Sequence, residues 1–148
     1  MTANELRIGN YVKFPNVTDE EYSQIEAIGI TIDERKMAFG YNVDEIYDFD
    51  DIEPIPLTDE LFEQFGFEKK VDLFGKPKNT FPLDYIFTKD GLYIHKYTYP
   101  ENVDVYEFRF PNIDPWIYSP VKLEYAHQLQ NLYFALKGEE LELTQKPE

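Results

Sequence analysis

The chain has 148 residues, enough for one domain or two small lobes, and its 43% hydrophobic and 17% aromatic content is unlike that of a disordered chain. Its 29 acidic and 14 basic residues give a net charge of −15, which disfavours direct binding to nucleic acid or to anionic membranes. Cysteine is absent, which excludes disulfides and thiolate metal sites. With no recognisable signal peptide or membrane span, the sequence predicts a cytoplasmic location.

The first seventy residues carry most of the net negative charge and predict a small curled sheet. Apolar runs alternate there with turn residues, and Gly9 interrupts the first run where a bulge or tight bend is expected. The predicted strands cover residues 6–14, 22–30, 31–43 and approximately 46–55. Several short strands in so few residues are typical of a small barrel or a strongly bent sheet, as in Src-homology and Tudor domains.

Two helices are predicted from capping residues and apolar spacing. Thr58 is a good N-cap for a short central helix that ends at Gly66. Near the C-terminus, four apolar residues recur at the spacing of one helical face, and Gly138 follows them as a stop. These four residues are Leu129, Leu132, Tyr133 and Leu136. A helix over residues 124–137 is therefore expected.

The second half predicts an antiparallel meander that precedes the C-terminal helix. Its strands cover residues 81–88, 92–99 and 103–110, and residues 71–82 form a candidate linker or long loop. The expected fold class is therefore α+β, with a small N-terminal β-barrel or bent antiparallel sheet, a short central helix, an antiparallel β-meander and a C-terminal helix. Residues 1–70 and 71–148 are the predicted lobes, which could share one compact domain.

Three segments resemble a family of short proteins, without an assigned activity, from gut-type bacteria and their phages or mobile elements. The segments are residues 5–12 (ELRIGNYV), IPLT at 55–58 with FGF at 65–67, and residues 127–141 (HQLQNLYFALKGEEL). The resemblance implies a cytoplasmic, prophage-borne accessory protein in which these segments serve as scaffold. It implies no catalytic residue.

An acidic run between residues 44 and 53 is the strongest charge feature and the first candidate interaction surface. Six carboxylates occur there without a base: Asp44, Glu45, Asp48, Asp50, Asp51 and Glu53. The run does not fit an EF-hand, because residue 53 is glutamate where that loop requires glycine. The favoured interpretation is a solvated strand or turn whose apolar residues Ile46, Phe49 and Ile52 reach the core. Cation binding and mimicry of nucleic-acid phosphates are the alternatives.

A tyrosine-rich strand is the second candidate surface. Strand alternation places Tyr93, His95, Tyr97 and Tyr99 on one face. Aromatic side chains in this pattern favour packing within the core or between lobes, and a groove for a partner or ligand is the alternative.

Catalytic and cofactor motifs are missing from the sequence. The chain has two serines and two histidines, neither of which lies in a nucleophile elbow or a metal-ligand spacing, and the glycines form no phosphate-binding loop. No catalytic, cofactor-binding or metal-binding residue is therefore predicted.

The expected function is a non-enzymatic protein-interaction or accessory role with an unidentified protein partner. The alternative is an acidic nucleic-acid mimic that inhibits a basic DNA- or RNA-binding protein. An enzyme of unrecognised type is the third hypothesis, and it would require a concave site that joins His95 or His127 to a carboxylate with a shifted pKa. The sequence does not specify the oligomeric state.

Overall fold

The computed structural model describes residues 5–15, 22–40, 46–71, 85–98, 103–108 and 121–144. These residues form two α-helices, one 3₁₀ turn and nine strands in two antiparallel sheets, and the predicted α+β class is confirmed. Contacts within the chain define two compact units. The first combines Met1–Leu57 with Tyr125–Glu142, and the second combines Thr58–Glu124 with Leu143–Gln145.

The sheet of the first unit is curled and has the strand order β1-β2-β3-β4. Its strands are β1 (Tyr11–Val12), β2 (Ser23–Ile30), β3 (Lys36–Gly40) and β4 (Tyr47–Asp48), followed by the 3₁₀ turn Phe49–Asp51. The backbones of Lys13 and Glu53 exchange two hydrogen bonds of 2.9 Å, so the chain returns to the first strand after the 3₁₀ turn. The core inside this curl consists of Leu6, Val12, Phe14, Ile25, Ala38, Phe49 and Ile52.

Turns shorten two of the predicted strands in this sheet. Gly9 has a φ of +93°, and the amide of Asn10 donates to the carbonyl of Arg7, so residues 6–10 turn before β1 begins. The bend predicted at Gly9 is confirmed. Thr31 and Arg35 close a second turn through the amide of Thr31, which donates to the carbonyl of Arg35 at 2.9 Å. The third strand therefore begins at residue 36 instead of 31.

The second unit is a five-stranded meander with one short helix. Its strands are β5 (Glu68–Val71), β6 (Tyr85–Lys89), β7 (Leu92–Thr98), β8 (Asp104–Phe108) and β9 (Val121–Leu123), paired in that order. Helix α1 (Asp59–Gln64) begins as predicted, because the Thr58 hydroxyl accepts from the amide of Leu61 at 3.1 Å. Phe62 of this helix stacks on Phe87 with ring centroids 4.5 Å apart, which places the core of this unit between α1 and the sheet.

Helix α2 (Ala126–Lys137) is the last helix or strand of the described chain and belongs to the first unit. The amide of Tyr125 donates to Gln128 Oε1 at 3.0 Å and caps its start, and Gly138 ends it with a φ of +71°. The helix and its stop were predicted. Its buried face differs from the prediction, because Leu136 is 44% exposed whereas His127 and Gln130 are fully buried.

The two units are not separated by a single boundary near residue 70, because each unit combines separate stretches of the chain. Helix α1 belongs to the second unit, and α2 returns to the first. The backbone explains this return, since Pro56 and Tyr125 form an antiparallel bridge and the amide of Ala126 donates to the carbonyl of Ile55 at 2.8 Å. The candidate linker over residues 71–82 lies outside the described residues, apart from Val71 at the end of β5.

Candidate functional site

The acidic run lies at the end of the first sheet, where it forms β4 and the 3₁₀ turn. Asp48 caps that turn, since its carboxylate accepts from the amide of Asp50 at 3.0 Å. Asp50, Asp51 and Glu53 are exposed. Asp44 and Glu45 lie outside the described residues. The run is therefore a capped, solvated turn as far as the structure describes it.

The apolar residues of this run separate into two groups. Phe49 and Ile52 are buried in the core, as predicted. The prediction for Ile46 is wrong, because its side chain is 63% exposed. Ile46 immediately precedes the two-residue strand β4, and its side chain lies on the surface of the sheet.

The exposed Ile46 belongs to an apolar groove on the side of β2 and β3 that faces away from the core. In the register of these strands Ala27 pairs with Phe39 and Gly29 with Met37, whereas the buried Ala38 pairs with Ile28. Since side chains alternate between the two faces of a strand, the Ala27–Phe39 and Gly29–Met37 pairs lie opposite the core. We call Ala27, Gly29, Met37, Phe39 and Ile46 the outer face. The groove there is also lined by Ile28, Ile30, Thr31 and Ala38.

The groove on the outer face has a volume of about 440 Å³. Among the described residues that line it, Thr31 supplies the one polar side chain and none is ionisable. A Cβ atom added to Gly29 would meet nothing within 4 Å, so the groove is open above this glycine. This surface was missed from the sequence, although apolar residues on both faces of β3 were a signal for it.

The segments that form the outer face are rich in acidic residues. The described residues 22–40 and 46–53 contain seven acidic and two basic side chains. Glu26 is exposed beside Ala27, where the register of β2 and β3 shifts, and Asp48 is the cross-strand neighbour of Met37. Of the two bases, Arg35 forms an ion pair of 2.7 Å with Asp33, and Lys36 is the cross-strand neighbour of Ile30, which also lines the groove. The groove is therefore apolar with a negative rim.

The tyrosine-rich strand is β7, which belongs to the second unit. Ile94 and Lys96 are buried on one face, and Tyr93, His95 and Tyr97 lie on the other, as strand alternation predicted. Tyr93 is 50% exposed, and the Tyr97 hydroxyl donates to the carboxylate of Glu107.

The core of this second sheet lies on the face opposite the tyrosines. Tyr106 and Phe108 of β8 pair with Lys96 and Ile94, so they lie on the buried face. Tyr99 lies outside the described residues. The acidic run and the tyrosine face thus belong to different units.

A polar cluster that the sequence did not indicate lies at the start of α1. Lys69, Lys96 and the Tyr106 hydroxyl all donate to the Asp59 carboxylate, at 2.8, 2.7 and 2.7 Å. Partial burial alone would raise the pKa of this carboxyl group, but the three hydrogen bonds outweigh it and lower the pKa to about 2. Burial and the Asp59 charge raise the pKa of Tyr106 above its usual range. The partners satisfy one another, so the cluster anchors α1 to the sheet.

A second polar network was also missed, and it joins the residues before β1 to α2. Gln130 is fully buried, and its side-chain oxygen accepts from the amide of Tyr11 at 2.8 Å. Its amide nitrogen donates to the carbonyls of Gly9 at 3.0 Å and of Leu141 at 3.1 Å.

Arg7 extends this network to the protein surface. Its guanidinium donates to Asn131 Oδ1 at 2.7 Å and to Glu140 at 2.6 Å. The same Asn131 oxygen accepts from the buried side chain of Asn10 at 3.0 Å. Every one of these contacts orders the backbone or another polar side chain, which gives the network a structural role.

In the part of the chain that the structure describes, the carboxyl groups with a shifted pKa are Asp33, in the turn between β2 and β3, and Asp59, at the start of α1. His127 is fully buried, 3.6 Å from Glu5, whereas His95 lies on the face of the second sheet opposite the Asp59 cluster. Among the described residues, no group of three or more histidine, aspartate and glutamate side chains is arranged to hold a metal ion.

Comparisons with models of known protein families, with curated proteins and with solved structures find no match. The resemblance to a phage-associated family stays a prediction. Helices α1 and α2, the two α-helices of the described chain, are not long and apolar enough to cross a membrane.

Proposed function

We propose that this protein is a non-enzymatic interaction module of a bacterial or prophage system, and that it binds a protein partner on the outer face of β2 and β3. The supporting observation is the groove of about 440 Å³, which Met37, Phe39 and the 63%-exposed Ile46 line with apolar atoms. The other face of the same strands already packs the core, so that core does not require these side chains. Contiguous exposed apolar surface of this kind is typical of protein-interaction sites.

The negative rim favours a protein over other macromolecular ligands. Nucleic acids and anionic lipid surfaces carry the same sign of charge as Glu26, Asp48 and the chain as a whole, which has a net charge of −15. A protein partner can present apolar and basic groups together. The absence of cysteine is consistent with a partner in the reducing cytoplasm.

A variant that fills the groove tests the proposal. Gly29→Val adds a side chain above the outer face where there is space for it, and valine is favourable in a strand. Ile32→Ser is the matched control, because Ile32 is fully exposed in the turn between β2 and β3 and does not line the groove. Circular dichroism and the unfolding temperature establish that both variants fold.

The measurement is capture of proteins from a nuclease-treated lysate of the host by the tagged full-length chain, with quantification by mass spectrometry. We expect a protein that the wild type and Ile32→Ser retain and that Gly29→Val loses by about tenfold or more, which corresponds to blocking an interface hot spot. Identical captured proteins for all three chains would contradict the proposal.

Mimicry of nucleic acid predicts a different result in the same experiment. A mimic would capture a basic nucleic-acid-binding protein that high salt releases, since salt screens charge attraction. Replacement of Asp48, Asp50 and Asp51 by asparagine would abolish that capture, and Gly29→Val would leave it intact. Asparagine at position 48 still caps the 3₁₀ turn, so the triple variant changes charge while the local fold is kept.

A further inference from the structure

We infer that the segment bound by the outer face is an extended peptide in which apolar side chains alternate with lysine or arginine. This inference rests on the proposed function, and it specifies the chemistry of the partner. It combines the apolar groove, its spacing along the strands and the negative charge of its rim.

The spacing of the outer face favours an extended segment. Met37 and Phe39 are two residues apart on β3, as Ala27 and Gly29 are on β2. Side chains two residues apart on a strand are separated by about 6.6 to 7 Å. An extended peptide that runs along these strands presents every second side chain at the same interval, so its apolar side chains can contact the groove in register.

The small residues of β2 provide the space for these side chains. Ala27 and Gly29 are exposed, and their cross-strand partners Phe39 and Met37 are half-buried. The groove is therefore bordered by the larger side chains of β3 and by Ile46, with the short side chains of β2 next to them.

Charge complementarity favours basic side chains at the alternate positions of the peptide. Two carboxylates belong to residues next to the groove. Glu26 immediately precedes Ala27 on β2, and Asp48 is the cross-strand neighbour of Met37. Of the two bases in the segments that form the outer face, Arg35 is paired with Asp33 at 2.7 Å, and Lys36 immediately precedes Met37. The side chains between the apolar anchors start on the far side of an extended peptide, and the long stems of lysine and arginine let their charges bend back toward Glu26 and Asp48.

The same charges argue against a second copy of this chain as the occupant. An isologous dimer across the outer face would bring Glu26 and Asp48 of one copy toward the acidic rim of the other. Like charges in such an interface oppose association, and each copy carries a net charge of −15.

Synthetic peptides test the inference directly. The probe is a fluorescein-labelled nine-residue peptide of alternating leucine and lysine, and its binding to the full-length protein is measured by fluorescence anisotropy at about 150 mM NaCl. One control peptide alternates serine and lysine, and another alternates leucine and glutamate. The protein variants are Gly29→Val, the control Ile32→Ser, and the pair Glu26→Gln with Asp48→Asn. The control for this pair is Glu139→Gln with Glu142→Gln, two exposed residues elsewhere in the first unit.

The inference predicts that the leucine–lysine peptide binds the wild type and Ile32→Ser equally. Its affinity falls by about tenfold or more for Gly29→Val and by about fivefold for the Glu26 and Asp48 pair, with a change below about twofold for the control pair. Equal affinity for the serine–lysine peptide would overturn the inference, because charge alone would then explain binding. Equal affinity for the leucine–glutamate peptide, unchanged binding to Gly29→Val, or no binding would also overturn it.

Two further measurements separate this inference from the proposed function. A host protein whose capture depends on Gly29 but whose bound segment lacks basic residues would overturn the inference and leave the proposed function standing. Sedimentation equilibrium that shows a dimer of the wild type and a monomer of Gly29→Val would identify a second copy as the occupant, and it would likewise overturn the inference.

Discussion

Buried polar side chains determine how α2 joins the first unit. Gln130 is fully buried, and its three hydrogen bonds satisfy the amide of Tyr11 and the carbonyls of Gly9 and Leu141. An apolar side chain at this position would remove the hydrogen bonds that Gln130 makes to these three backbone groups. The apolar spacing of α2 predicted a helix, but it could not reveal that glutamine and histidine occupy its buried face, because hydropathy patterns assign polar residues to solvent.

Replacement of Gln130 by methionine is expected to destabilise the first unit by about 3 kcal/mol. Methionine has a similar length, but it cannot replace the hydrogen bonds to three backbone groups. Gln128→Met on the same helix is the control, and we expect it to cost about 1 kcal/mol through loss of the cap on Tyr125. Urea denaturation of both variants measures the difference, and equal costs would show that the Gln130 bonds contribute little.

His127 is expected to make folding stability sensitive to pH between about 7 and 5. Burial lowers the pKa of its imidazole below the usual 6.5, and Glu5 opposes this only in part. The unfolded chain therefore binds a proton more readily than the folded chain. The free energy of unfolding should be constant above about pH 7 and should fall as the pH decreases below 6.5, by at most about 1.4 kcal/mol per pH unit.

The variant His127→Leu tests the origin of this pH dependence. Denaturant midpoints at pH 7, 6 and 5 should decline less for this variant than for the wild type. His95→Gln removes the other histidine, which lies in the second unit, and it is the comparison variant. A wild-type slope in His127→Leu would assign the effect to other groups.

The helices and the strands differ in how well the sequence predicted them. Thr58, Gly66 and Gly138 marked the ends of helices because capping depends on local chemistry. Strands β5 and β9 were missed, since β5 is exposed along its whole length and β9 has three residues. β5 has no alternating apolar pattern, and the alternation in β9 covers too few residues to indicate a strand.

The candidate site was predicted less well than the elements that form it. Asp48 lies beside the outer face and was among the predicted surface residues, but the groove itself was not predicted. It arises from the register between β2 and β3, in particular the shift between Ile25 and Ala27. A shift of one residue reverses which side chains face the core, and the sequence did not specify it.

Replacement of Gly29 or Gly40 in the β2–β3 hairpin by alanine is expected to have different effects on the free energy of unfolding. A Cβ atom at Gly40 would lie 2.3 Å from the Phe14 ring, so Gly40→Ala should overpack the core and cost about 1 to 3 kcal/mol. At Gly29 the added methyl group meets nothing within 4 Å, so Gly29→Ala should be neutral or slightly stabilising. Thermal unfolding of the two variants compares them, and a cost at Gly29 equal to that at Gly40 would contradict the described packing.

The first unit is discontinuous along the chain, and sequence order alone does not reveal such an arrangement. Its sheet comes from the first fifty-seven residues, but its helix follows residues 58–124 of the second unit. A boundary inferred from loops and composition assumes that each unit is continuous. The bridge between Pro56 and Tyr125 shows where the chain leaves the first unit and where it returns.

Excision of the second unit is expected to leave the first able to fold. Because Pro56 and Tyr125 are paired, their Cα atoms lie about 5 Å apart, and about four glycine and serine residues can join residue 57 to residue 125. This joined polypeptide should give a dispersed ¹H–¹⁵N spectrum and a cooperative unfolding transition. Residues 1–57 alone should give a collapsed spectrum, because they lack Gln130 and the buried residues Leu129 and Tyr133 of α2. Dispersed signals from residues 1–57 alone would mean that α2 is dispensable, and a collapsed spectrum from the joined polypeptide would mean that the first unit requires the second.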